Sequence, residues 1–217
     1  MEEYKTLRAP ASDEFTEKRS RFIGYAQPVS TQVEAAAFIE RIKKQHHDAT
    51  HNVFAYLLRE GQLERYSDDG EPQGTAGHPM LHVLQMRKLT NVLAVVTRYF
   101  GGIKLGAGGL TRAYSGALSD AVKAAPIVTY TPYARYTVTL PYTAVGGFEN
   151  YIKDKDIRVL DRAFTAEVQV TFLTLPEEAK THLKFLTDLT GGKAVIEKDG
   201  EEYVKVRWLG TSRWGTV

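Results

Sequence analysis

Five glycines fall within nine positions, Gly101, Gly102, Gly106, Gly108 and Gly109, directly after an apolar run and directly before a stretch of small residues. A helix or a central strand would be weakened by that density of glycine, so residues 101–109 are predicted to be a connection. The run before it, Val92 to Val96, is continuous and bounded by turn signals, as expected of a strand buried on both faces. The stretch after it, through Ala125, places Ala113, Gly116, Ala117 and Ala121 at intervals of three and four, which predicts a helix able to lie close to a sheet. A strand entering a glycine loop that opens a helix exposes backbone N–H groups without partners, and the helix macrodipole favours an anion at that point. Lys104 and Arg112 supply countercharge. Arg98 sits between the apolar run and Tyr99-Phe100, where a guanidinium is costly unless it meets an anion or a carboxylate.

The charge distribution points to the same place. The formal net charge is only +2, too small to argue for a polyanionic partner. Yet residues 72–119, 48 in succession, contain no Asp or Glu, although acids number 26 among 217 residues. That stretch carries Arg87, Lys88, Arg98, Lys104 and Arg112, and just upstream lies the opposite, Ser67-Asp68-Asp69-Gly70-Glu71. Exclusion of acids from an apolar strand explains the missing carboxylates better than it explains the retained arginines.

Elsewhere the pattern is that of an ordinary α+β chain. Residues 14–29 alternate apolar and charged side chains and read as one strand, an edge strand because Pro28 ends it. Thr31 and Glu34 have capping-box spacing, and Ala35, Phe38, Ile39 and Ile42 form a helical stripe to about His46. Residues 51–58 read as a strand, with a short second one before the Asp68-Asp69-Gly70 turn, and residues 80–89 as a short helix. A change of rhythm between Pro126 and Pro132 divides the chain into residues 1–130 and 131–217, consistent with a length too great for one ordinary core. The second part predicts a strand at 134–140, a helix at 143–154, strands at 157–161 and 165–173, and a helix opened by Pro176 and stopped by Gly191-Gly192. A final hairpin, 194–198 with 203–208, turns at Asp199-Gly200 and completes a ferredoxin-like βαββαβ order. The tail after Gly210 reads as mobile.

The strings TRYFGGIKLGAGGLTRAY and SDDGEPQGTAGHPM strongly resemble the IMPACT family, in its bacterial two-domain form, over about residues 15–125. The resemblance implies an N-terminal domain like the second domain of ribosomal protein S-five and the fourth of elongation factor G. It also implies a C-terminal domain like that factor's fifth. Eukaryotic relatives carry a different partner-binding module and regulate translation under amino-acid starvation; for bacterial members the resemblance suggests a nucleic-acid or ribosome role.

The leading expectation is therefore an RNA- or ribosome-binding regulator of translation. Arg98, Lys104 and Arg112 would contact phosphates and Gly101, Gly102, Gly106, Gly108 and Gly109 would allow close approach. Translation-factor-like protein partners are also implied. Tyr99, Phe100 and Tyr114 are either part of that surface or core. The rival is an enzyme acting on a phosphorylated small molecule or nucleotide, with Asp68, Asp69 and Glu71 around magnesium and His78 as base. Against it, the glycine loop does not fit G-x-x-x-x-G-K-[ST]. Equally, the acids could pair with Arg98 and Arg112 or form a solvated turn. No catalytic residue, metal or cofactor is assigned: His47 and His51 are separated by a predicted helix end, Ser115 lacks a nucleophile-elbow context, and zero cysteines remove disulfides and thiol chemistry. The absence of a long apolar stretch and of a signal-like start predicts a cytoplasmic protein with no membrane partner.

Overall fold

A computed structural model describes residues 2–206 of the chain. The described residues are mixed α+β and divide into two compact units, one spanning Tyr4–Val128 and the other formed by residues 129–206 with residues 2 and 3.

In the first unit the strands are β1 (Tyr4–Leu7), β2 (Ala11–Glu17), β3 (Ser20–Pro28), β4 (His51–Leu58), β5 (Leu63–Ser67) and β6 (Val92–Tyr99). The main sheet has the order β2-β3-β6-β4-β5, antiparallel throughout. Its helices are α1 (Gln32–Gln45), α2 (Gly77–Met86) and α3 (Ala107–Ala124). β6 lies at the centre, and its continuous apolar run divides between the two faces. Leu93 and Val95 join Ile39 and Ile42 of α1, whereas Val92, Ala94 and Val96 join Leu84 of α2 and Leu118 of α3. That two-sided burial is what an uninterrupted rather than alternating run predicts.

Two local expectations are refined and a third is met. Residues 14–29 are not one edge strand: a two-residue turn at Lys18-Arg19, with φ of 44° and 65°, folds them into the β2–β3 hairpin. β3 is thus interior, between β2 and β6, and β2 is the edge. A turn with two left-handed residues usually advertises itself by Asn-Gly or Asp-Gly, and Lys-Arg carries no such signal. α2 starts at Gly77, earlier than expected, because Pro79 falls within the first turn, where a missing N–H leaves no helical bond unmade. α1 is capped as its spacing predicts: Thr31 Oγ1 accepts the Glu34 N–H at 3.2 Å, and the Glu34 carboxylate accepts the Ser30 N–H at 2.6 Å.

α3 approaches the sheet at backbone contact. A Cβ on Gly24 of β3 would lie 2.5 Å from the Ala117 carbonyl oxygen of α3. The small residues at 113, 117 and 121 are therefore required by the sheet beneath them.

The second unit contains β7 (Ile127–Leu140), α4 (Tyr142–Ile152), β8 (Ile157–Phe164), β9 (Val168–Thr174), α5 (Pro176–Leu189) and β10 (Val195–Val206), in βαββαβ order. The strands run β10-β7-β9-β8, antiparallel, with α4 and α5 contributing Phe148 and Leu186 to a core with Val138, Val170 and Phe172. The expected terminal hairpin is absent. Residues 195–206 form a single strand along β7, from Val195 opposite Thr139 to Val206 opposite Thr129, with a bulge between Lys198 and Gly200. β7 is 14 residues long, enough to pair both halves, so Asp199-Gly200 becomes a bulge rather than a turn. Residues 207 and 208 of that expected strand, and the tail after Gly210, lie outside the described residues.

Gly24→Val should destabilise the N-terminal unit by about 3 kcal/mol, since the collision is with backbone. Gly116→Ala on α3, whose Cβ position meets nothing within 4 Å, should instead stabilise it by about 0.5–1 kcal/mol. Urea titrations of the two variants should shift in opposite directions.

Candidate functional site

The glycine loop leaves β6 and passes across the β2–β3 turn at contact distance. A Cβ on Gly101 would stand 2.0 Å from the backbone of Arg19, and the Gly101 N–H donates to Ser20 Oγ at 3.2 Å. The next turns need left-handed backbone at Gly102 (φ 84°) and Gly106 (φ 73°). Gly109 packs on Leu105, where a Cβ would come within 2.9 Å, while Gly108 has open space apart from the Arg112 guanidinium. α3 then begins without a side-chain cap and without an acid in its first turn, with Ala107 and Gly108 exposed. The start of the helix thus has no side-chain cap and no first-turn carboxylate to take up its N–H groups.

Arg98 is placed differently from the expectation that it reaches a phosphate. It is 5% exposed, its Nη1 lies 2.6 Å from Glu71 Oε1, and its Nη2 donates to Ser20 Oγ at 3.3 Å. The guanidinium carbon also sits 5.4 Å from the ring centroids of both Phe22 and Phe100. A buried guanidinium demands a carboxylate partner, and Glu71, one of the proposed acidic residues, is that partner. The Tyr114 hydroxyl donates to the same Glu71 oxygen at 2.7 Å, and His51 Nε2 stands 3.7 Å away. Burial and the Glu71 carboxylate hold the Tyr114 hydroxyl far above the usual phenol range, so it remains a donor at physiological pH. Tyr114 is core, fully buried.

The other acids organise the chain preceding α2. Asp68 accepts the N–H groups of Gly74, Ala76 and Gly77 at 2.9, 3.1 and 2.8 Å, standing in for a helix cap. Asp69 accepts the Asn52 N–H at 2.6 Å and lies 3.5 Å from Lys43 Nζ. Asp68, Asp69 and Glu71 thus turn to three different partners, and among the described residues no cluster of three or more His, Cys, Asp or Glu is placed to hold a metal. His78 is exposed, edge-on to Tyr66 at 5.6 Å between ring centroids, and is not gathered with the acids.

On the opposite face of the sheet a second polar chain surrounds His46. Tyr99 donates to Asp48 Oδ1 at 3.2 Å, so its oxygen accepts from His46 Nδ1 at 2.8 Å, and His46 Nε2 accepts from the Tyr25 hydroxyl at 2.7 Å. With the imidazole neutral, the Tyr99 bond to Asp48 puts the ring proton on Nδ1 and leaves Nε2 to accept from Tyr25. Burial, then the Arg21 charge, lowers the His46 pKa below its ordinary value.

What remains at the surface is a group of cations. Lys104 and Arg112 are exposed, as are Lys18 and Arg19 at the hairpin turn that Gly101 touches. Among the described residues no salt bridge involves any of the four. Glu17 and Arg112 share a small cleft of about 180 Å3 with Phe15, Gly109 and Ala113. Lys18, Arg19 and Ser20 were not identified from sequence; the one available signal was a Lys-Arg pair in the middle of a strand-like segment. No helix among the described residues is long and apolar enough to cross a membrane.

Comparison with known proteins places the chain in a group. Residues 18–122 match the Impact N-terminal domain, and residues 138–193 match a domain of unknown function (DUF1949). The IMPACT family member YvyE of Bacillus subtilis is 41% identical over 204 residues, covering 93% of both chains. The IMPACT family member YigZ of Escherichia coli is 35% identical over 171 residues, 77% of this chain and 84% of the relative. A Protein IMPACT homolog of Dictyostelium discoideum shares 38% identity over 96 residues, 42% of this chain but only 27% of its own. A crystal structure of a hypothetical protein superposes with a TM-score of 0.59 at 32% identity, covering 90% of this chain and 97% of that one.

Removing Glu71 alone leaves a buried guanidinium uncompensated, so Glu71→Ala should cost about 3–5 kcal/mol of stability, most of it recovered in Glu71→Leu/Arg98→Met. Denaturant midpoints of the two proteins measure both effects. For His46 the sign follows from its lowered pKa: the unfolded chain takes up the proton first, so stability is complete above the ordinary value of 6.5 and is lost as pH falls below it. The urea midpoint should fall between about pH 7 and pH 5, and His46→Gln should flatten that dependence.

Proposed function

This chain belongs to the IMPACT family, and we propose that its N-terminal unit binds RNA, free or within the ribosome, and acts there on translation. The observation that carries the reading is the contact of Gly101 with the β2–β3 turn. It brings the turn bearing Lys18 and Arg19 against the start of the loop that carries Lys104 and leads into the helix bearing Arg112, so cations distant in sequence stand on adjoining segments. No described salt bridge neutralises them, and the uncapped mouth of α3 adds backbone donors for phosphate oxygens. In this reading Lys18, Arg19, Lys104 and Arg112 contact phosphates, while Gly101, Gly102 and Gly106 shape the loop. Arg98 and Glu71 are supports beneath it. The second unit has no comparable excess of positive charge: residues 131–217 carry 12 basic and 12 acidic side chains.

Replacing all four cations by Gln should weaken RNA binding and make the plot of log affinity against log salt shallower by about 3, at about 0.7 per phosphate contact for a single strand. Anisotropy titrations of a labelled RNA at several salt concentrations read the slope directly, with circular dichroism verifying the fold. Wild-type slope in the fourfold variant would refute the assignment, as would failure of the wild type to co-sediment with ribosomes and to bind free RNA.

A further inference from the structure

Phe100 stands at the entrance to the glycine loop and is 46% exposed. Its position is fixed from two sides. The backbone N–H donates to Thr50 Oγ1 at 3.0 Å, and the ring lies 5.4 Å from the guanidinium of Arg98, which Glu71 and Ser20 hold in place. The aromatic ring is therefore backed by a buried, immobile cation while much of its surface remains open. Its neighbour Gly101 touches Arg19, and exposed Lys104 lies four residues along the same loop. Ile103, 41% exposed, adds a second apolar side chain to this segment. Other large exposed apolar residues of the unit, such as Val33 on α1 and Met86 on α2, are carried by elements other than those bearing the four cations.

We propose, building on the RNA-binding reading above, that Phe100 is a stacking platform for an unpaired nucleobase, and that this surface therefore selects single-stranded over duplex RNA. The surrounding positive charge favours a polyanionic occupant over an apolar protein segment. Among forms of RNA, only a single strand or an open loop offers a free base face. In a duplex the bases are stacked on one another, and an aromatic side chain beside the backbone gains nothing. Preorganisation strengthens the effect, since the ring does not have to be ordered when the base arrives. Stacking on a phenyl ring is tolerant of sequence, so the preference is for strandedness rather than for a particular base.

The experiment compares a labelled oligouridylate with a duplex RNA of equal length, by anisotropy, for the wild type, Phe100→Leu and Phe100→Trp. Expected are tighter binding of the single strand by the wild type and a loss of about 10-fold in Phe100→Leu for the single strand only. The salt slope should not change, because the lost contact is uncharged. Phe100→Trp should retain affinity and show quenching of its added fluorescence by oligouridylate. Equal wild-type affinity for the two RNAs, or single-strand binding by Phe100→Leu at the wild-type level, overturns the stacking proposal while leaving phosphate binding intact. If the wild type binds neither RNA, both readings fall together. Phe100 is exposed, so an unchanged urea midpoint in Phe100→Leu assigns any loss to the contact and not to folding.

Discussion

The ion pair between Glu71 and Arg98 holds together parts of the N-terminal unit that the chain supplies from widely separated places. Glu71 comes from the segment before α2, Arg98 from the central strand, Tyr114 from α3 and Ser20 from the first residue of β3. Charges with so little access to water are tolerated only when their remaining hydrogen-bonding capacity is also met, and here the tyrosine hydroxyl and the serine oxygen contribute to that. Arg98 Nε, without a hydrogen-bond partner, is the group the network leaves unsatisfied. The pair also has a consequence at the surface. Ser20, contacted by Arg98, accepts the Gly101 N–H, so the buried charge helps fix the height at which the glycine loop crosses the hairpin turn.

The acidic run at residues 68–71 leaves the surface cations without a salt bridge because its carboxylates are used elsewhere. Asp68 turns onto three backbone amides, Asp69 onto the Asn52 amide and Glu71 into the core. An acidic run and an acid-free basic run adjoin in sequence, yet their charges do not cancel on the surface. Local hydrogen bonding decides this, since a carboxylate that caps several N–H groups gains more than one in a solvated ion pair. Glu17 is the acid that does approach the group, in the cleft beside Arg112.

The two networks flanking the sheet follow different rules. On the α2 and α3 side the groups are charged and paired, with a tyrosine kept protonated. On the α1 side His46 is neutral, and both ring nitrogens are taken up by Tyr25 and Tyr99. The first is built around a guanidinium and the carboxylate it meets in the core. The second ties the C-terminal end of α1 to β3 and β6 through a group whose protonation competes with its hydrogen bonds.

Much of the architecture was readable from residue order, because it rests on local chemistry. Continuous Val92–Val96 required burial on both faces, Thr31 with Glu34 required a helix start, and glycine density at 101–109 required a connection before a helix. The βαββαβ order of the second unit followed from its alternating periodicities. The Lys18-Arg19 turn was invisible since neither residue signals left-handed backbone, and β10 was misread since Asp199-Gly200 serves a bulge as readily as a turn. For the site, the sequence identified the uncapped helix start and the cations Lys104 and Arg112. Only the folded arrangement decided that Arg98 faces inward to Glu71, that Asp68 and Asp69 serve backbone amides, and that Lys18 and Arg19 join the loop. Each of those outcomes depends on which groups meet across tens of residues, and the balance between burying, pairing and hydrating a charge is struck by neighbours that are distant in the chain.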